Sequence, residues 1–154
     1  ATGMFVKHPE PHAEGTHLVF EFVVGRGRKP VQGSGEVVWV PEERLLDVVT
    51  AVSGSGPAYV FWFIEQLAAA AEKLGIEKEA AMKLAMHTVL GSAKLAASSN
   101  EPPATLRKNV TSKRGTTEAA LNVFEQEKLA ERFLRAVEAA SRRATELGRE
   151  QGKD

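Results

Sequence analysis

Tyr59, Val60, Phe61, Trp62, Phe63 and Ile64 are six consecutive large apolar residues. They lie between Pro57, which suits the first turn of a helix, and Gly75, which suits its end. At 3.6 residues per turn, six in a row cover every side of the cylinder. A helix that is apolar all round must be covered on all sides. The other helices of so short a chain hardly suffice for that. The pattern predicts an obligate homo-oligomer with Tyr59, Phe61, Trp62, Phe63 and Ile64 at its core; the alternative is the central helix of a monomeric bundle. A membrane span is not expected. The apolar run Ala58 to Ala71 is interrupted by Glu65 and Gln66, and as a helix it would rise about 21 Å against a hydrocarbon core of roughly 30 Å.

The hydrophobic period changes near Pro41. In Thr16 to Val24, Leu18, Phe20, Phe22 and Val24 alternate with polar positions, as in a half-buried strand. Gly25 to Pro30 is turn chemistry, Val31 to Val40 reads as the returning strand, and Met4-Phe5-Val6 as a short third one. Beyond Pro41 the period is helical. Helices are expected over Glu42 to Val52, Pro57 to Leu74, Lys78 to Ser98, Ala104 to Asn109, from Glu118, and over Lys128 to Leu147. The expected class is α+β: an N-terminal antiparallel β meander of about three strands (residues 1–40), then an all-helical dimerisation domain (41–148) and a frayed tail (149–154).

Charge and residue chemistry narrow the function. Twenty Lys+Arg balance twenty Asp+Glu, which argues against a nucleic-acid or membrane-surface partner, since neutralising phosphates takes a surplus of cations. With no cysteine there is no disulfide, thiolate zinc site or thiol nucleophile, and a cytoplasmic setting is expected. The first residues lack the basic start and apolar run of a signal peptide. His8, His12 and His17 have no acidic or thiolate company, so no metal site is expected. His87 reads as a packed or rim histidine, and Arg26, Arg28 and Lys29 as a solvated hairpin tip. Ser53 and Ser55 lie between helices, not in the strand-turn-helix setting of a nucleophile elbow.

Several blocks from Gly35 to Gly148 resemble the C-terminal part of pyrroline-5-carboxylate reductases. They are Gly35 to Val40, Leu45 to Phe61, Thr88 to Lys94, and Pro103 to Ser112 followed by Gly115-Thr116-Thr117. The resemblance implies an intertwined homodimer. It also implies that a substrate carboxylate meets Val110, Thr111, Ser112, Gly115, Thr116 and Thr117. Backbone N–H groups at a helix start and threonine hydroxyls suit an anion physically; the other reading is that Thr116 and Thr117 only cap the helix from Glu118. Lys113-Arg114 stands where that family usually has Pro-Gly.

The first forty residues resemble the C-terminal part of a PilZ-like β-barrel, in Gly3 to Val6, Pro9-Glu10-Pro11, Gly15-Thr16, Phe20-Glu21-Phe22 and Gly35 to Val40. Of the cyclic di-GMP motifs only a closing glycine, Gly3, has a counterpart, so cyclic di-GMP is not an expected ligand. No glycine fingerprint stands between a strand and a helix. Hence no cofactor, no cofactor-binding domain and no catalytic residue are expected. Taken together these resemblances predict a fold chimera, engineered or recombined, joined at Gly35 to Val40 and acting as a non-catalytic homodimeric scaffold. The alternatives are a reductase remnant that binds substrate-like carboxylates, and a nucleotide-binding β module.

Overall fold

A computed structural model describes residue 13 and residues 15–22, 31–36 and 38–151. In chain order these form strands β1 (His17–Phe22) and β2 (Val31–Glu36), helix α1 (Leu45–Val49) and a π-helical turn (Thr50–Gly54). Helices α2 (Gly56–Lys73), α3 (Lys78–Ser98), α4 (Pro103–Asn109), α5 (Thr116–Gln126) and α6 (Leu129–Gln151) follow.

The α+β class is corrected: this is a helical protein carrying, among the described residues, one antiparallel two-stranded hairpin. His17 pairs with Glu36 and Phe22 with Val31. The second strand stops four residues short of Val40 because its partner ends there. Gly15 takes φ 78° and Thr16 donates from N–H (3.1 Å) and Oγ1 (2.6 Å) to the Ala13 carbonyl. That tight turn carries the chain away at His17. The expected third strand, Met4-Phe5-Val6, lies outside the described residues, as do His8, His12, Arg26, Arg28 and Lys29. A lone two-stranded hairpin is marginal in water, so the helices determine the fold.

Where one helix was expected over Glu42 to Val52, α1 passes into a π turn. The Ser55 N–H bonds the Thr50 carbonyl at 2.9 Å, one residue farther back than in an α-helix. The register slip leaves the Ala51 carbonyl to accept the Tyr59 hydroxyl at 3.1 Å, which clasps the start of α2 to the turn. The Tyr59 ring meets Phe133 of α6 edge-on, centroids 5.8 Å apart and planes at 83°. Thr145 Oγ1 of α6 donates to Asp47 Oδ2 of α1 at 2.6 Å across 98 residues of sequence. Helix α6 thus packs on α1 and the π turn, while α2 packs on α3. Gly75 ends α2 at φ 101°. The last helix runs past Gly148 to Gln151, held by Arg143 Nη1, which donates to Glu146 Oε2 at 2.9 Å and Glu150 Oε1 at 3.0 Å.

Helix α3 has an unusual cap: the Glu77 side chain accepts from the Glu79 and Ala80 N–H groups at 3.0 and 3.2 Å. The first of these bonds, then the second, hold its carboxyl below the ordinary value. A depressed folded-state pKa gives stability that is present above the unfolded value and is lost as pH falls through the folded one. Acid titration should therefore melt the start of α3 in wild type. In Glu77→Ala the α3 amide exchange rates should be raised already at neutral pH, with no such acid-dependent step.

Candidate functional site

Only Ala51, Ala68, Ala81 and Ala85 are buried apolar residues among those described, and no large side chain is. Small residues let helix backbones approach closely, but four methyl groups make a thin core. The large apolar side chains stand outside it. Phe61 is 63% exposed, Trp62 58% and Phe63 47%, whereas Tyr59 and Ile64 are half-buried. An exposed patch of this kind marks an interaction surface. Beside it, α2, α3, α5 and α6 frame an apolar groove of about 1190 Å³, with Trp62, Phe63, Leu121, Phe124 and Phe133 among its walls. Glu65 and Gln66 are both exposed on α2.

The α4–α5 loop connects two helices that each contribute to this groove. Arg107 of α4 and Leu121 of α5 both line the groove, and Thr117 stands one helical turn before Leu121, on the same face. Within the loop, Val110 caps α4 and is 64% exposed. The Thr111 hydroxyl donates to the Arg107 carbonyl at 2.7 Å. The Gly115 N–H donates to the Ser112 carbonyl at 3.0 Å. Arg114 takes φ 59°, and its N–H donates to Glu118 Oε2 at 2.6 Å.

Helix α5 begins at Thr116, two residues earlier than expected. Its N-cap is Gly115, and no side chain caps it, so capping does not explain Thr116 and Thr117. The first amides of a helix lack intrahelical acceptors and carry the positive end of its dipole, about half an elementary charge. Ser112, Gly115, Thr116 and Thr117 lie just before or within the first turn of α5, where unpaired amides favour an anion on general grounds. Gly115 is required there for space. A Cβ at that position would stand 2.2 Å from Ser112 Oγ and 3.0 Å from the Ser112 carbonyl oxygen. Sequence reasoning missed Glu118, which stands three residues after the Gly115 N-cap and accepts the Arg114 N–H. It also missed Arg107.

Among the described residues no three His, Cys, Asp or Glu side chains could together hold a metal ion. No helix among them is long and apolar enough to cross a membrane. His87 borders a small apolar hollow with Ile64, Met86 and Leu90.

The family model "pyrroline-5-carboxylate reductase dimerisation" matches residues 43–147. A pyrroline-5-carboxylate reductase of Pseudomonas aeruginosa is 44% identical over 119 residues, covering 77% of this chain and 44% of that protein. One from Synechocystis is 48% identical over 115 residues, covering 75% and 43%. A solved pyrroline-5-carboxylate reductase from Coxiella burnetii superimposes with a TM-score of 0.70 at 47% identity, covering 73% of this chain and 42% of that one. The Plasmodium falciparum enzyme, solved with NADP bound, gives 0.67 at 36% identity, covering 70% and 43%. The chain thus spans less than half the length of these relatives.

Two expectations fall on these matches. The inactive chimeric scaffold is overturned, since the relatives bear the name of one reductase and the match runs over residues 43–147, from before α1 into α6. The expectation of a non-enzyme is overturned with it, because those relatives are enzymes, of which this chain covers the dimerisation part. The PilZ-like resemblance of residues 1–40 gains no support from them. By the family model and by sequence identity alike, the chain belongs to the pyrroline-5-carboxylate reductase dimerisation family.

Proposed function

We propose that this chain supplies the dimerisation and substrate-carboxylate half of a pyrroline-5-carboxylate reductase. The match over residues 43–147 carries this reading. The exposed aromatic face of α2 and the groove beside it take a second copy of the chain. Tyr59, Phe61, Trp62, Phe63 and Ile64 form the dimer core, with Tyr59 also anchored within its own chain. Val110, Ser112, Gly115, Thr116 and Thr117 receive the carboxylate of a five-membered ring. The α5 amides and the hydroxyls of Ser112, Thr116 and Thr117 are its donors, and they fix the orientation of the ring. A cytoplasmic setting fits a chain without cysteine.

A reduced nicotinamide would supply the hydride. The described residues do not fit the pyrophosphate of such a cofactor. Gly54 ends a π turn and Gly56 opens α2, so these glycines follow a helix and not the strand that a dinucleotide cradle needs. No hydride step is therefore assigned to them. The test is calorimetric titration with L-proline, whose ring and carboxylate match the proposed ligand. Saturable binding that competes with pyrroline-5-carboxylate is the expected result, and no heat at millimolar ligand would contradict the proposal.

A further inference from the structure

Two non-glycine residues among those described adopt a left-handed backbone, Arg114 at φ 59° and Lys128 at φ 54°. Lys128 follows the C-cap residue Glu127 of α5 and its N–H returns to the Glu125 carbonyl at 3.0 Å, the usual place for such a conformation at a helix end. Arg114 stands before a helix, where no capping rule calls for it. A side chain in this region clashes with its own carbonyl, so something must hold Arg114 there.

The holding contact comes from Glu118. This half-buried residue in the first turn of α5 reaches back so that Oε2 accepts the Arg114 N–H at 2.6 Å. The next amide, Gly115, is fixed by the Ser112 carbonyl at 3.0 Å. Two successive amides are thus tied down, one by a side chain and one by backbone, just ahead of Thr116 and Thr117. We propose that Glu118 is a positioning residue for the carboxylate-receiving loop, acting through the Arg114 amide without touching the ligand. This rests on the proposed reading of that loop. Two consequences follow from the chemistry of the clasp. Glutamine at 118 keeps an accepting oxygen and removes a negative charge near an anionic ligand, so it preserves the function. Glycine at 114 takes positive φ without a clash, so it makes the clasp dispensable.

The experiment combines L-proline calorimetry with limited trypsin cleavage after Lys113, which reads loop opening without any ligand. Glu118→Ala should weaken L-proline binding about fivefold, as loss of a charge-assisted hydrogen bond does at an accessible site. It should also speed cleavage after Lys113. Glu118→Gln, and Glu118→Ala combined with Arg114→Gly, should both restore wild-type binding and cleavage. Wild-type cleavage in Glu118→Ala, or a double variant that stays as weak and as cleavable as Glu118→Ala, would overturn the proposal. If wild type binds no L-proline, the carboxylate reading of the loop fails, and the trypsin series alone decides whether Glu118 holds it.

Discussion

Trp62→Glu should leave α2 helical and abolish self-association. Glutamate is a good helix former, so the local backbone has no reason to change. The indole it replaces is 58% exposed in the single chain and lines the groove. Covering roughly 100–150 Å² of it in a dimer is worth about 3 kcal/mol at 25 cal/mol per Å². A two-fold interface counts every residue twice, giving about 6 kcal/mol and a dissociation constant weaker by a factor on the order of 10⁴. Burying a carboxylate against the apolar side chains of a partner would add to that loss. Sedimentation equilibrium should therefore find only monomer, or aggregate, at concentrations where wild type is fully assembled. An unchanged association constant would mean that this face of α2 is covered by something other than a second copy.

Gly115→Ala should weaken L-proline binding by more than about tenfold while the helices stay folded. Its φ of −89° is open to any residue, so the demand for glycine comes from Ser112. The hydroxyl, 2.2 Å from the added Cβ, can rotate away. The carbonyl oxygen at 3.0 Å cannot, because it accepts the Gly115 N–H. Overpacking of this kind costs about 1–3 kcal/mol, and the α4–α5 loop is the part free to move. Calorimetry should show binding weakened by more than about tenfold, equivalent to 1.4 kcal/mol, with the helical circular dichroism intact. Ser112→Ala in the same chain should recover only part of the affinity, since it removes the hydroxyl and leaves the carbonyl. Full recovery would place the crowding on the side chain alone.

The helical half is legible in the sequence because its punctuation is local. Pro57 and Gly75 bracket α2, and Pro103 opens α4 after Pro102. Even the uncovered aromatic face follows from six adjacent apolar residues. The π turn at Thr50–Gly54 does not, because over five residues a hydrophobic pattern cannot separate a bond to the fourth residue back from one to the fifth. The long-range ties Tyr59–Phe133 and Asp47–Thr145 are set by tertiary packing, which periodicity does not encode. In the site, Gly115 could be marked by resemblance, but not the reason that glycine stands there. Its role depends on where the Ser112 side chain and carbonyl stand, and that is known only from the folded loop. The first forty residues misled most. Short matching strings there supported a chimera, whereas the evidence for a reductase lies in the helices, and the expected second strand ran to Val40 where β2 ends at Glu36.

The central claim is that a second copy of this chain covers the apolar face of α2. Light scattering behind a sizing column, over a dilution series of the wild-type protein, measures this without labels or ligand. A mass of twice 16.7 kDa, constant down to low micromolar concentration, is the predicted result. A mass of 16.7 kDa at every concentration would contradict it, because Phe61, Trp62 and Phe63 would then have to be covered within one chain.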